Sequence, residues 1–157
     1  MHRLERVLAV TALVLVAGCA TGPTYQDLEA SMPPPPAGQG RLFVYMTDAT
    51  EVPSFFPQLW LDGAPLGTLR TGTYLTADRP AGLHVLEVHV REEAAAFGSQ
   101  GKTEPIQLVF DPGQPIYVSA DTLSLVGMVK VTLTPVSSED GQRDMQPLQP
   151  APKSTVE

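Results

Sequence analysis

The chain has 157 residues, 43% of them apolar, a formal charge of −7 and a single cysteine. That length suits one ordinary domain with flanking segments. The acidic balance, with no basic stripe to reverse it locally, excludes a nucleic-acid partner, and a lone cysteine excludes an internal disulfide.

The first segment reads as an export signal. "MHRLER" carries Arg3 and Arg6 against Glu5, and the uncharged run from Val7 to Val16 follows at once. A bilayer span needs about 20 apolar residues, whereas a signal-peptide core needs about 7–15, so this run fits the second. Ala17 and Gly18 then lead into Cys19, and "VAGC", residues 16–19, resembles the lipobox of bacterial lipoproteins. The resemblance implies that residues 1–18 are a signal peptide and that the Cys19 thiol takes lipid, palmitate included. Two or more acyl chains anchor stably where one is marginal, and no reactive thiol is left. By the same resemblance, Ala20, standing where aspartate would favour retention in the inner membrane, implies the periplasmic face of an outer membrane.

Residues 19–40 have no apolar periodicity, and Pro33 to Pro36 impose extended polyproline II, so this stretch is expected to be a lipidated, proline-rich tether. The β domain is expected over 41–136. "RLFVYMT", 41–47, is apolar on both faces and predicts a central strand. In "QLWLDGAPLGTLR", 58–70, Asp62-Gly63 between two short runs predicts a tight hairpin, and Pro65 makes its second arm an edge candidate. Pro80 and Gly82 mark a turn before a strand from about Leu83 to Arg91, with Leu86, Val88 and Val90 on one face and Glu87, His89 and Arg91 on the other. "EEAAAFGSQGK", 92–102, reads as a loop or one helical turn. Residues 103–135 supply three more strands, with Asp111-Pro112-Gly113 fitting a type II turn. Roughly seven or eight short strands without a crossover helix predict an all-β, antiparallel sandwich, with a small open barrel as the alternative. Residues 137–157 are polar and proline-bearing and are expected to be a disordered tail.

"GCATGP", the proline-rich spacer, "RLFVYM" and "LWLDGAPLGTLRTGTYLTADRPAGLHVLEV" together resemble the bacterial lipoproteins of the domain of unknown function numbered 2846. The central stretch is also similar to the PEGA surface-domain motif, at Asp62, Gly63, Gly67, Gly72, Tyr74, Gly82 and His84. The resemblance implies an Ig-like or PEGA-like sandwich and a cell-envelope address, and transfers no catalytic residue.

Catalytic chemistry finds little support. No Gly-x-Ser-x-Gly nucleophile elbow occurs, and there is no phosphate loop or calcium-loop spacing. His84 and His89 stand at an odd offset, so on one strand they point to opposite faces and cannot share a metal. His84 is expected to bond a nearby backbone carbonyl, His89 to lie on a solvated face with Glu87, and Asp62 and Asp111 to serve their turns. Glu92 and Glu93 would diverge on a strand and make a poor acid/base pair. The remaining set is aromatic: Phe55 and Phe56 lie between prolines in a loop, close to Trp60, and an exposed apolar patch there would suit a partner.

The sequence therefore predicts a non-catalytic envelope lipoprotein, without cofactor or metal, whose β domain binds or positions an envelope protein or cell-wall component. Its contact residues would be Phe55, Phe56 and Trp60. The alternatives are a cell-wall hydrolase or carbohydrate-active enzyme, and a purely structural surface spacer.

Overall fold

A computed structural model of the chain describes residues 22–47, 56–89, 104–125 and 128–152. Strand β1 (Gln39–Met46) organises it. Leu42, Val44 and Met46 enter one apolar cluster while Phe43 and Tyr45 enter another, so β1 is buried on both faces as its composition predicts.

On one flank β1 pairs antiparallel with β4 (Thr73–Pro80), and on the other it pairs parallel with β7 (Pro115–Leu125). β8 (Met128–Val136) folds back antiparallel on β7, and β9 (Gln149–Pro150) adds a short parallel contact to β4. This gives a five-stranded mixed sheet in the order β8-β7-β1-β4-β9. The second sheet is antiparallel throughout, in the order β3-β2-β5-β6, from β2 (Gln58–Leu61), β3 (Ala64–Thr68), β5 (Gly82–His89) and β6 (Ile106–Phe110). Leu59, Leu61, Leu86, Val88, Leu108 and Phe110 of this sheet meet Leu42, Val44, Val118, Ala120, Val131 and Leu133 of the other in one core.

Local chemistry explains the joints. Asp62 and Gly63 both take positive φ, 55° and 73°, as the tight β2–β3 hairpin demands. Pro65 lies in β3, which is an edge strand. The Gln114 N–H donates to the Asp111 carbonyl across Pro112-Gly113, and Gly113 has φ 72°, which makes the type II turn.

Three expectations need correction. The strands are not all antiparallel: β1 and β7 lie side by side in parallel because the chain between them first builds the whole second sheet. The tether expected over 19–40 is not a free spacer across its described part, and the tail expected to be disordered over 137–157 is ordered from Ser138 to Pro150. Helix α1 (Tyr25–Glu29) and helix α2 (Ser138–Met145) both lie on the outer face of the five-stranded sheet. The reason is the second face of β1: with β4 and β7 it presents Phe43, Tyr45, Tyr74 and Tyr117, and Tyr25, Met145 and Leu148 bury them.

The two ends interlock there. α1 is capped by a box in which Thr24 Oγ1 accepts from the Asp27 N–H and Asp27 accepts from the Thr24 N–H. Its first N–H groups, of Tyr25 and Gln26, donate to the Leu148 and Gln146 carbonyls at 2.7 and 3.3 Å, so the end of α2 satisfies the start of α1. Arg41 holds the proline run: Nε and Nη2 fork onto Asp78 at 2.6 and 2.8 Å, and Nη1 donates to the Pro33 carbonyl at 2.7 Å. The domain therefore extends from α1 to β9 and exceeds the expected 41–136.

Candidate contact surface

α1 and α2 cover the five-stranded sheet, and no described helix lies on the outer face of the four-stranded sheet. Alternation on β2 sends Leu59 and Leu61 inward and Trp60 outward. On β5, Leu86 and Val88 go inward while Glu87 and His89 go outward. Register places Trp60 opposite Glu87 and Gln58 opposite His89. The indole and the imidazole stack at 4.6 Å between centroids and 14° between planes, and Glu87 Oε2 stands 4.0 Å from His89 Nε2. This trio needed the β2–β5 register to be seen, and alternation alone gives only its side of the sheet.

Phe56 lies just before β2 and is 43% exposed, outside both apolar clusters. The Arg70 guanidinium sits 5.0 Å above its ring, a cation–π contact that covers one face and leaves a cationic rim. Phe55, Cys19 and the whole of the 92–102 interruption, with Glu92 and Glu93, lie outside the described residues.

The structure also joins Asp62 and His84, which superficially make two members of a catalytic triad. His84 Nδ1 is 2.7 Å from Asp62 Oδ2, and Nε2 is 2.9 Å from the Pro80 carbonyl. Both ring nitrogens are thereby occupied, and neither is aimed at a hydroxyl nucleophile. The carbonyl bond is the one expected for His84. Its ring packs edge-on against Phe110 at 4.7 Å, while His89 lies on the opposite side, as the odd spacing requires. Asp62 also accepts from the Val85 N–H at 3.0 Å and lies 3.9 Å from Arg79 Nε. Partial burial raises its carboxyl, but the His84 and Val85 hydrogen bonds and the charges of His84 and Arg79 outweigh this and hold it below the usual carboxylate range. The group therefore fastens the β2–β3 hairpin to the start of β5.

Two other perturbed groups have structural causes. Burial first, then its hydrogen bond to Asp144 at 3.1 Å, pushes the Tyr45 hydroxyl above the tyrosine range. Burial first, then Tyr117, does the same to Tyr25. Among the described residues no three histidine, cysteine or carboxylate groups converge on a possible metal position. No helix of the described residues is long and apolar enough to cross a membrane. No family model, curated protein or solved structure matches the chain.

Proposed function

We propose that this chain is a non-catalytic cell-envelope lipoprotein, an Ig-like or PEGA-like sandwich anchored through Cys19, which binds an envelope protein or cell-wall component. The resemblance of "VAGC" to a lipobox supports the anchor, and that of the central stretch to the lipoproteins of unknown function and to PEGA domains supports the class. The observation that carries the binding reading is the exposed Phe56 under Arg70, with the half-buried Trp60 stacked on the exposed His89 on the outer face of the four-stranded sheet. Aromatic and arginine side chains of this kind are what interface hot spots are made of. Against a hydrolase stands the Asp62–His84 pair, whose imidazole is spent on the Pro80 carbonyl.

An anchor at Cys19 would stand three residues before Gly22, where the described residues begin, close in sequence to α1. Photo-cross-linking in cells from Trp60, compared between the parent chain and Phe56→Ser, tests the reading. An adduct that Phe56→Ser abolishes supports it, and no adduct from that face would sink it. Fatty-acid labelling that persists in Cys19→Ser would remove the anchor.

A further inference from the structure

A sheet edge presents unpaired backbone groups, and proteins guard such edges with proline, charge, bulges or brevity. Three of the terminal strands are guarded. β8 carries exposed Lys130 and Pro135; β3 carries Pro65 and faces a register shift between Leu59 and Trp60; β9 is two residues long and includes Pro150. β6, "IQLVF", carries no charge, no proline and no bulge. Val109 is 64% exposed and its cross-strand partner Leu83 is 61% exposed, so the unguarded edge adjoins an apolar pair.

The groups that β6 offers follow from the ladder. The Val85 carbonyl accepts from the Asp62 N–H at 2.9 Å and the Val85 N–H donates to Asp62 Oδ1 at 3.0 Å, so both point away from β6 toward the end of β2. In an antiparallel ladder these directions alternate, so His84 and Leu86 bond to their partners Leu108 and Ile106. On β6, Gln107 and Val109 consequently turn both N–H and C=O outward.

We propose that β6 pairs antiparallel with β6 of a second copy of this chain, about a two-fold axis through Leu108, joining two four-stranded sheets into one. The spacing selects this occupant. The outward residues are two apart, so rotation about Leu108 sets Gln107 against the partner's Val109 and Val109 against the partner's Gln107. Every outward backbone group of the edge then finds a partner. A shift by one pair brings in Pro105, which has no N–H, or pairs Gln107 with the partner's Asp111, whose carbonyl already accepts from Gln114. In the two-fold register Asp111 faces the partner's Pro105 and like charges do not stand directly opposite. Ile106, Leu108 and Phe110 meet their counterparts on the core side, and the exposed Val109 gains cover.

Sedimentation velocity on the full chain in detergent, over a concentration series, tests this. The parent chain should dimerise. Val109→Pro removes an N–H that its own sheet does not use, so it should keep its circular dichroism and weaken the dimer at least about tenfold. Should that variant misfold, Val109→Lys, at an exposed side chain, tests the same edge. A disulfide check fixes the register: paired residues of this type lie about 5.5 Å apart at Cα, within the about 4.4–6.8 Å that a disulfide spans. Mixing Cys19→Ser/Gln107→Cys chains with Cys19→Ser/Val109→Cys chains should give a linked heterodimer on oxidation. A monomer at every concentration, a dimer indifferent to both Val109 variants, or a dimer without that cross-link each overturns the proposal.

Discussion

Gly141 sits in the middle of α2, where the general rule favours replacement: alanine is about 1 kcal/mol better than glycine in a helix interior. The structure reverses the sign. A Cβ at Gly141 would overlap Tyr117 Cγ and Cβ and stand 2.6 Å from its Cδ1, where carbon atoms prefer about 3.5–4.0 Å. These atoms are the rigid base of a side chain whose ring is stacked on Phe43 at 5.2 Å and is fully enclosed, so Tyr117 cannot swing aside. The helix must lift by about 1 Å or more, drawing Asp144 from the Tyr45 hydroxyl and Met145 from its pocket. Overpacking of this kind costs about 1–3 kcal/mol. With a rigid obstacle the upper part of that range applies, and after the helix gain Gly141→Ala should lose about 1–2 kcal/mol.

For a chain of this size that is a fall in Tm of about 2–8 °C, read by thermal melting followed by circular dichroism. Tyr117→Gly will itself be costly, but it removes the Cβ, Cγ and Cδ1 that a new Cβ would meet, so in that background Gly141→Ala should be neutral or stabilising. A rise in Tm for Gly141→Ala in the parent chain would refute the docking of α2 on the sheet.

Met145→Ala, at a side chain with no exposed surface, should cost about 2–5 kcal/mol by urea titration, whereas a free tail would show no change. Arg41→Ala should speed proteolysis between residues 22 and 37, since it removes the Asp78 fork and the hold on Pro33; Arg41→Lys, which keeps the charge without the fork, should restore only part of the protection. Asp62 is held below its ordinary value, so its contribution is present above about pH 3.8 and is lost as pH falls through the lower, folded value. The gap in urea midpoint between the parent chain and Asp62→Asn should accordingly close on acidification, and a gap that widens in acid would contradict the assignment. Phe56→Ser should change stability by no more than about 0.5 kcal/mol in a thermal melt, as an exposed substitution does.

The parts of the fold that sequence made legible are those fixed by near neighbours. Asp62-Gly63 has one economical use, Pro65 suits an edge, and the alternation around Leu86 and Val88 states which side is core. Longer-range choices were not so fixed. Nothing near Arg41 or Pro115 announces that β1 and β7 pair in parallel, because that pairing follows from where the intervening strands go. The ends are illegible in the sequence for a different reason. Tyr25, Met145 and Leu148 are too sparse to register as periodicity, yet each fills a place over an aromatic cluster. Two signals did exist: "TYQD" at 24–27 and "SSED" at 137–140 each set a hydroxyl three residues before a carboxylate, and both prove to be helix caps. Of the contact surface, Phe56 and Trp60 could be picked by type, but Arg70 over Phe56 and His89 on Trp60 could not.

The stronger clue was β1 itself. A strand with Leu42, Val44 and Met46 on one side and Phe43 and Tyr45 on the other cannot be satisfied by a single facing sheet, which covers only one of those sides. A third layer is required, and among the described residues α1 and α2 supply it. That demand shapes what is left for function. The aromatic side of the five-stranded sheet is consumed by α1 and α2, which hold each other through the Tyr25 and Gln26 N–H groups. The proposed binding would then fall on the opposite sheet, where Trp60 stacks on His89, Phe56 stands exposed just before β2, and β6 is an edge. A load applied through the N-terminal segment falls first on the Leu148, Gln146 and Pro33 carbonyls and reaches that sheet only after the helix layer has parted.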